Sequence, residues 1–75
     1  MKHSDIVIPE FGIRLKKALH DKKITQRELA RRLEVDKKSV NSWCNDIFYP
    51  NITYLKAICE ILDVSADYLL ELEDE

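Results

Sequence analysis

The stretch TQRELARRLEVDKKSVNSWCND, Thr25 to Asp46, decides how this chain folds. Thr25 is a residue type that accepts hydrogen bonds from the free N–H groups at a helix start, and Glu28 three positions on completes a capping box. The helix opened there is predicted over Gln26 to Leu33, with Leu29, Ala30 and Leu33 on one side. Asp36 is the next N-cap, for a helix from Lys37 to about Asn45 whose inner face is Val40 and Trp43. Only Glu34, Val35 and Asp36 separate the two, so the helices cannot lie antiparallel and must cross steeply. Ala30 is small where the second helix approaches, and Val35 is apolar where the junction needs a plug.

Two short helices in that relation make a helix-turn-helix, whose second helix can enter a DNA major groove. Lys37 and Lys38 then raise a question, because they open a helix whose N-terminus already carries about half a positive charge. They cost the free helix a few tenths of a kcal/mol, roughly, which contacts with several phosphates offset easily. The plain alternative is that they solvate an exposed face.

Outward from the motif the apolar spacing is helical throughout. Phe11, Leu15, Ala18 and Leu19 define a first helix from Pro9 or Glu10 to Lys22, with Pro9 suited to a first helical position. Gly12 inside it costs about 1 kcal/mol relative to Ala and points to a close approach. Asn51 caps a fourth helix with Leu55, Ile58, Cys59 and Leu62 inward. Ser65 caps a fifth, from Ala66 to about Leu72, with Leu69 and Leu72 among its buried candidates. The predicted fold is all-α, a compact five-helix domain over residues 9–72. An N-terminal arm at 1–8 precedes it, in which Ile6, Val7 and Ile8 suit a short extended segment, and an acidic tail at 73–75 follows.

Composition narrows the function classes. The 75 residues make one small domain, and no apolar run approaches the roughly 20 residues of a membrane span. The first ten residues lack the core of a signal peptide, so a cytoplasmic protein is expected, without a membrane partner. The net charge of −2 hides a division. Arg14 to Lys38 holds ten Lys/Arg against four Asp/Glu, a net +6, and the remainder holds two Lys against ten Asp/Glu, a net −8. That asymmetry fits a basic face for a polyanion, or two ordinary solvated faces. Cys44 and Cys59 fall on apolar helical positions and read as buried free thiols. His3 and His20 lack the paired spacing of a metal site, and no nucleophile stands beside a base and its orienter. Neither an enzyme nor a cofactor or metal site is expected.

TQRELARRLEVDKKSVNSWCND, followed by Pro50 and then LDVSADYLL, resembles the Cro–cI phage-repressor type of helix-turn-helix domain, the xenobiotic-response-element family. The likeness runs from about Phe11 to Leu70. It implies a lambda-repressor-like fold, a homodimer, and transcription regulation through operator DNA. Carried over residue by residue, it places Lys37, Lys38 and Ser42 at base edges, with Asn41 beside them, and Gln26, Arg27 and Asn45 at phosphates. Arg31 and Arg32 read equally as solvent charges or as partners of Glu28, and Lys16, Lys17, Lys22 and Lys23 as sources of undirected attraction.

Departures from the family pattern carry their own expectations. Glu34 stands where the turn usually has Gly, and is expected in the left-handed region at about 1–2 kcal/mol. Cys44, Asn45 and Asp46 replace a common Glu-Asn-Gly, and Asp46 tolerates a left-handed helix end. Many relatives pair that Glu with an Arg at the position of Leu19, so Leu19 and Cys44 read as a coordinated apolar replacement. Ile47, Phe48 and Tyr49 are unusually apolar for a loop. One is expected to anchor it while the others form a dimer surface with the fifth helix, around Tyr68 and Leu70.

The leading function is thus a sequence-specific DNA-binding regulator, a repressor on a two-fold operator. The alternative is an antitoxin-type module that neutralises a protein partner, such as a toxin, and binds its own promoter. With no effector domain in view, a signal is expected to enter through a partner, abundance or proteolysis.

Overall fold

A computed structural model describes residues 7–72 of the chain. Five helices follow in order: α1 (Phe11–Lys22), α2 (Gln26–Leu33), α3 (Lys37–Cys44), α4 (Ile52–Leu62) and α5 (Ala66–Leu69). No strand occurs among the described residues; Val7 is exposed and Ile8 half-buried. Ile6, the rest of the arm and the tail at 73–75 lie outside the described residues.

Four of the helices start where their caps predict. The side chains of Thr25, Asp36, Asn51 and Ser65 accept from the backbone N–H groups of Glu28, Lys38, Tyr54 and Tyr68 at 3.0, 3.0, 2.8 and 3.0 Å. The capping box of α2 is only half made. The Glu28 carboxylate turns away from Thr25 and bonds Arg31 and Arg32, two stronger charge-assisted donors.

Two boundaries differ from expectation. The first helix begins at Phe11, not at Pro9; Pro9 and Glu10 form the turn before it, and Glu10 supplies no side-chain cap. The fifth helix ends at Leu69, because Leu70 leaves helical geometry and Glu71 turns left-handed at φ 62°. Leu72 is consequently 71% exposed and is not a core residue.

The core is built from one stripe of each helix. Phe11, Leu15, Leu29, Val40, Ile58, Leu62 and Leu69 are buried to 1% exposure or less, each contributing about 1.5–3 kcal/mol. Leu33, Val35, Leu55 and Cys59 pack half-buried around them. Helix α1 touches α3, α4 and α5, and α2 touches α3 and α4, so the steeply joined pair α2–α3 rests on a platform of α1 and α4. The Trp43 and Tyr54 rings, 5.8 Å apart, fasten α3 to α4. Gly12 fastens α3 to α1: a Cβ there would overlap the Cys44 carbonyl and lie 2.8 Å from Asp46 Oδ2. The close approach expected at Gly12 is therefore real.

Candidate nucleic-acid interface

Helix α3 separates its residues by the 3.6-residue period. Val40, Trp43 and Cys44 point inward and are buried, while Lys37, Lys38, Asn41 and Ser42 fall on the other side. Those four line one open depression, so the base-contact candidates share a single surface. Lys37, Lys38 and Asn41 are exposed and Ser42 is half-buried. The Asp36 carboxylate meets the positive start of α3 by accepting from the Lys38 N–H. Neither lysine forms an ion pair among the described residues.

The neighbouring start of α2 is joined to this surface by side-chain amides. Asn41 Nδ2 donates to Gln26 Oε1 at 3.3 Å. Asn45 Nδ2 donates to the Asn41 carbonyl at 2.9 Å and to Asn41 Oδ1 at 3.1 Å. Arg27, next to Gln26, is exposed and has no ion-pair partner among the described residues. Arg31 and Arg32 are held instead by Glu28, at 2.6 and 2.8 Å. The hydrogen bonds from Arg31 and then Arg32 lower the Glu28 carboxyl from 4.5 to about 2. Of the α1 lysines, Lys17 lies 3.6 Å from Asp21 and Lys22 4.0 Å from Asp63. Lys16 is exposed and near enough to Cys44 for its charge to act on the thiol.

What holds α3 in place is the side facing α1. Leu19 and Cys44 are both buried in the shared core, at 4% and 1% exposure. Burial pushes the Cys44 thiol up to about 11, so it stays protonated and acts as a packing group. Both cysteines are free thiols, with Cys59 half-buried. Past the helix end Asp46 is left-handed at φ 59°. Its Oδ1 accepts from the Gly12 N–H at 2.9 Å, supplying from 34 residues away the cap that α1 lacks at Glu10.

In the following loop one of the three apolar residues packs against α1 and the other two face outward. Tyr49 sets its ring edge-on to Phe11 at 5.7 Å, and its hydroxyl accepts from the Ile8 N–H at 2.8 Å. Ile47 and Phe48 are 63% and 67% exposed, and Ile52 at the start of α4 is 85% exposed. At the other end, Glu71 Oε2 accepts from the Glu10 N–H, so the loop and the end of α5 both reach the segment before α1. Tyr68 and Leu70 are half-buried. The Tyr68 ring lies under Arg14, 4.9 Å from its guanidinium carbon, and its carbonyl accepts from Arg14 Nη1 at 2.6 Å.

Sequence reasoning missed Asp46 as the cap of α1, the Arg14–Tyr68 lock and the amide chain. A signal existed for the first: no Ser, Thr, Asp or Asn stands immediately before Phe11, so the cap had to come from elsewhere. No group of three His, Cys, Asp or Glu suited to a metal occurs among the described residues. No described helix is long and apolar enough to cross a membrane.

A family model described as a helix-turn-helix domain matches residues 12–75. The HTH-type transcriptional activator BcrR of Enterococcus faecalis is 34% identical over 65 residues, covering 87% of this chain and 32% of that protein. The chain thus spans about a third of the length of that relative. No solved structure gives a significant match.

Proposed function

The chain belongs to the helix-turn-helix domain family, and from that premise we propose that it binds double-stranded DNA in a sequence-specific way and regulates transcription. One observation carries the reading: Lys37, Lys38, Asn41 and Ser42 share the outward face of α3, with both lysines unpaired among the described residues. In this reading Lys37 and Lys38 donate to guanine O6/N7 or to phosphates, and Ser42 contacts a base edge. Gln26 and Arg27 hold phosphate at the start of α2. Arg31 and Arg32 take no part, because Glu28 holds them. The regulatory sign depends on where the site lies relative to the promoter. Repression follows from the phage-repressor resemblance when the operator overlaps the promoter, and activation, as in the name of the Enterococcus relative, needs another placement.

The test is selection of bound duplexes from random DNA, followed by affinity measurements on a selected and a scrambled duplex. Lys38→Ala should weaken the selected duplex by about 1–3 kcal/mol and relax preference at one base position. Affinity should fall steeply with salt, and each phosphate contact removed should lower the log–log slope by roughly one unit. Equal, salt-insensitive binding to both duplexes would sink the reading.

A further inference from the structure

The three amides of Gln26, Asn41 and Asn45 have a direction, and one backbone atom sets it. A carbonyl oxygen can only accept, so the 2.9 Å contact of Asn45 with the Asn41 carbonyl identifies the Asn45 atom as the nitrogen. That nitrogen also faces the Asn41 side chain at 3.1 Å, which must therefore present its oxygen there. The Asn41 nitrogen then faces Gln26 at 3.3 Å, and Gln26 must present its own oxygen inward. Each amide is oriented by the one before it. The Gln26 NH2 is the group left at the end of the chain, and both its protons are outside the relay.

A phosphate oxygen is an acceptor only, so an outward NH2 suits it and an outward carbonyl would repel it. Gln26 is also the first residue of α2, where the backbone N–H has no intrahelical acceptor. We propose that Asn45 and Asn41 are positioning residues. Together they fix the Gln26 amide so that it offers its donor side to a DNA phosphate, and Asn41 serves this relay instead of reading a base. This rests on the DNA-binding function proposed above. It reassigns two residues: Asn45 acts through Gln26 without touching phosphate itself, and the Asn41 amide is tied by its oxygen to Asn45 and by its nitrogen to Gln26.

The experiment has a free-protein arm and a DNA arm, both with the full chain. In side-chain amide NMR spectra of the free protein, Asn45→Ala should shift the NH2 resonances of Asn41 and also of Gln26, two residues along the relay. An unmoved Gln26 resonance overturns the relay. In the DNA arm, Asn45→Ala and Asn41→Ala should each weaken selected and scrambled duplexes by the same factor, about threefold to tenfold. Neither should weaken binding further in a Gln26→Ala background. A loss confined to the selected duplex makes Asn41 a base reader, and a loss that persists in full without Gln26 makes Asn45 a direct contact. Either result, or variants that bind as the parent does, overturns the proposal. A parent protein that binds no duplex overturns the functional reading and the phosphate with it, while the Gln26 resonance decides the orientation separately.

Discussion

Single residues set both the tightest contact and the clearest pH response. Gly12 occupies a helix interior where Ala would ordinarily gain about 1 kcal/mol. Here the added methyl meets the Cys44 carbonyl, which is backbone and cannot swing away. Overpacking of this kind costs about 1–3 kcal/mol and also strains the Asp46 cap, so Gly12→Ala should lower the denaturant midpoint. A raised midpoint would show that α1 and α3 are free to part. Glu28 gives the pH response. Its carboxyl sits at about 2 in the fold against an ordinary 4.5, so the folded state favours the charged form. The resulting stability is present above about pH 4.5 and is lost as the pH falls through the folded value near 2. Urea midpoints measured across that window should fall less steeply for Glu28→Gln than for the parent. The difference should shrink at high salt, since Arg31 and Arg32 are exposed and Glu28 is only half-buried. Parallel curves for the two proteins would refute the assignment.

At the scale of helices, most of the fold was legible because most of its signals are local. Thr25, Asp36, Asn51 and Ser65 announce helix starts within three residues of the N–H groups they satisfy. The left-handed states of Glu34 and Asp46 were legible from the resemblance, because relatives commonly place Gly at both positions. What could not be read was nonlocal. The cap of α1 lies 34 residues away in Asp46, and the early end of α5 follows a left-handed Glu71 that no Gly or Asn marks. The helical period gave the inward Val40 and Trp43 of α3 and the family resemblance named its four outward residues, whereas the bonds of Asn41 to Gln26 and Asn45 depend on how α2 and α3 cross. The α1–α3 contact lends itself to a double-mutant cycle. Leu19 and Cys44 are buried in one core, where a lone charge is severely penalised. Leu19→Arg or Cys44→Glu alone should destabilise by about 3–5 kcal/mol. The double variant should recover part of that through a new ion pair, with a coupling on the order of 1 kcal/mol or more. Unfolding of the four proteins under reducing conditions measures it, and losses that simply add would show that the two sites do not meet.

For the whole molecule the open matter is assembly. We propose a homodimer on DNA, with half-sites about one helical turn apart. The support is the exposed Ile47, Phe48 and Ile52, and the way the loop and the end of α5 both reach the segment before α1. Tyr49 is committed to Ile8 and Phe11, and Tyr68 to Arg14, which leaves Ile47 and Phe48 as the residues to perturb. Phe48→Ser should weaken self-association while leaving the unfolding midpoint nearly unchanged. Sedimentation that finds only monomer, free and on a selected duplex, would reject the dimer and turn attention to a different protein on this patch, as an antitoxin-type role requires. The backbone also reverses the usual division of labour. The single glycine stands inside a helix, while Lys23, Glu34, Asp46, Asp63 and Glu71 hold the left-handed positions that glycine fills most easily. Asp46 and Glu71 use their carboxylates as caps there, but Lys23 and Glu34 form no side-chain bond among the described residues. Those two sites are an unspent evolutionary reserve: one codon change at either relaxes the backbone and leaves Lys37, Lys38 and Ser42 untouched. A lineage can therefore adjust how durable this protein is without renegotiating which DNA it reads.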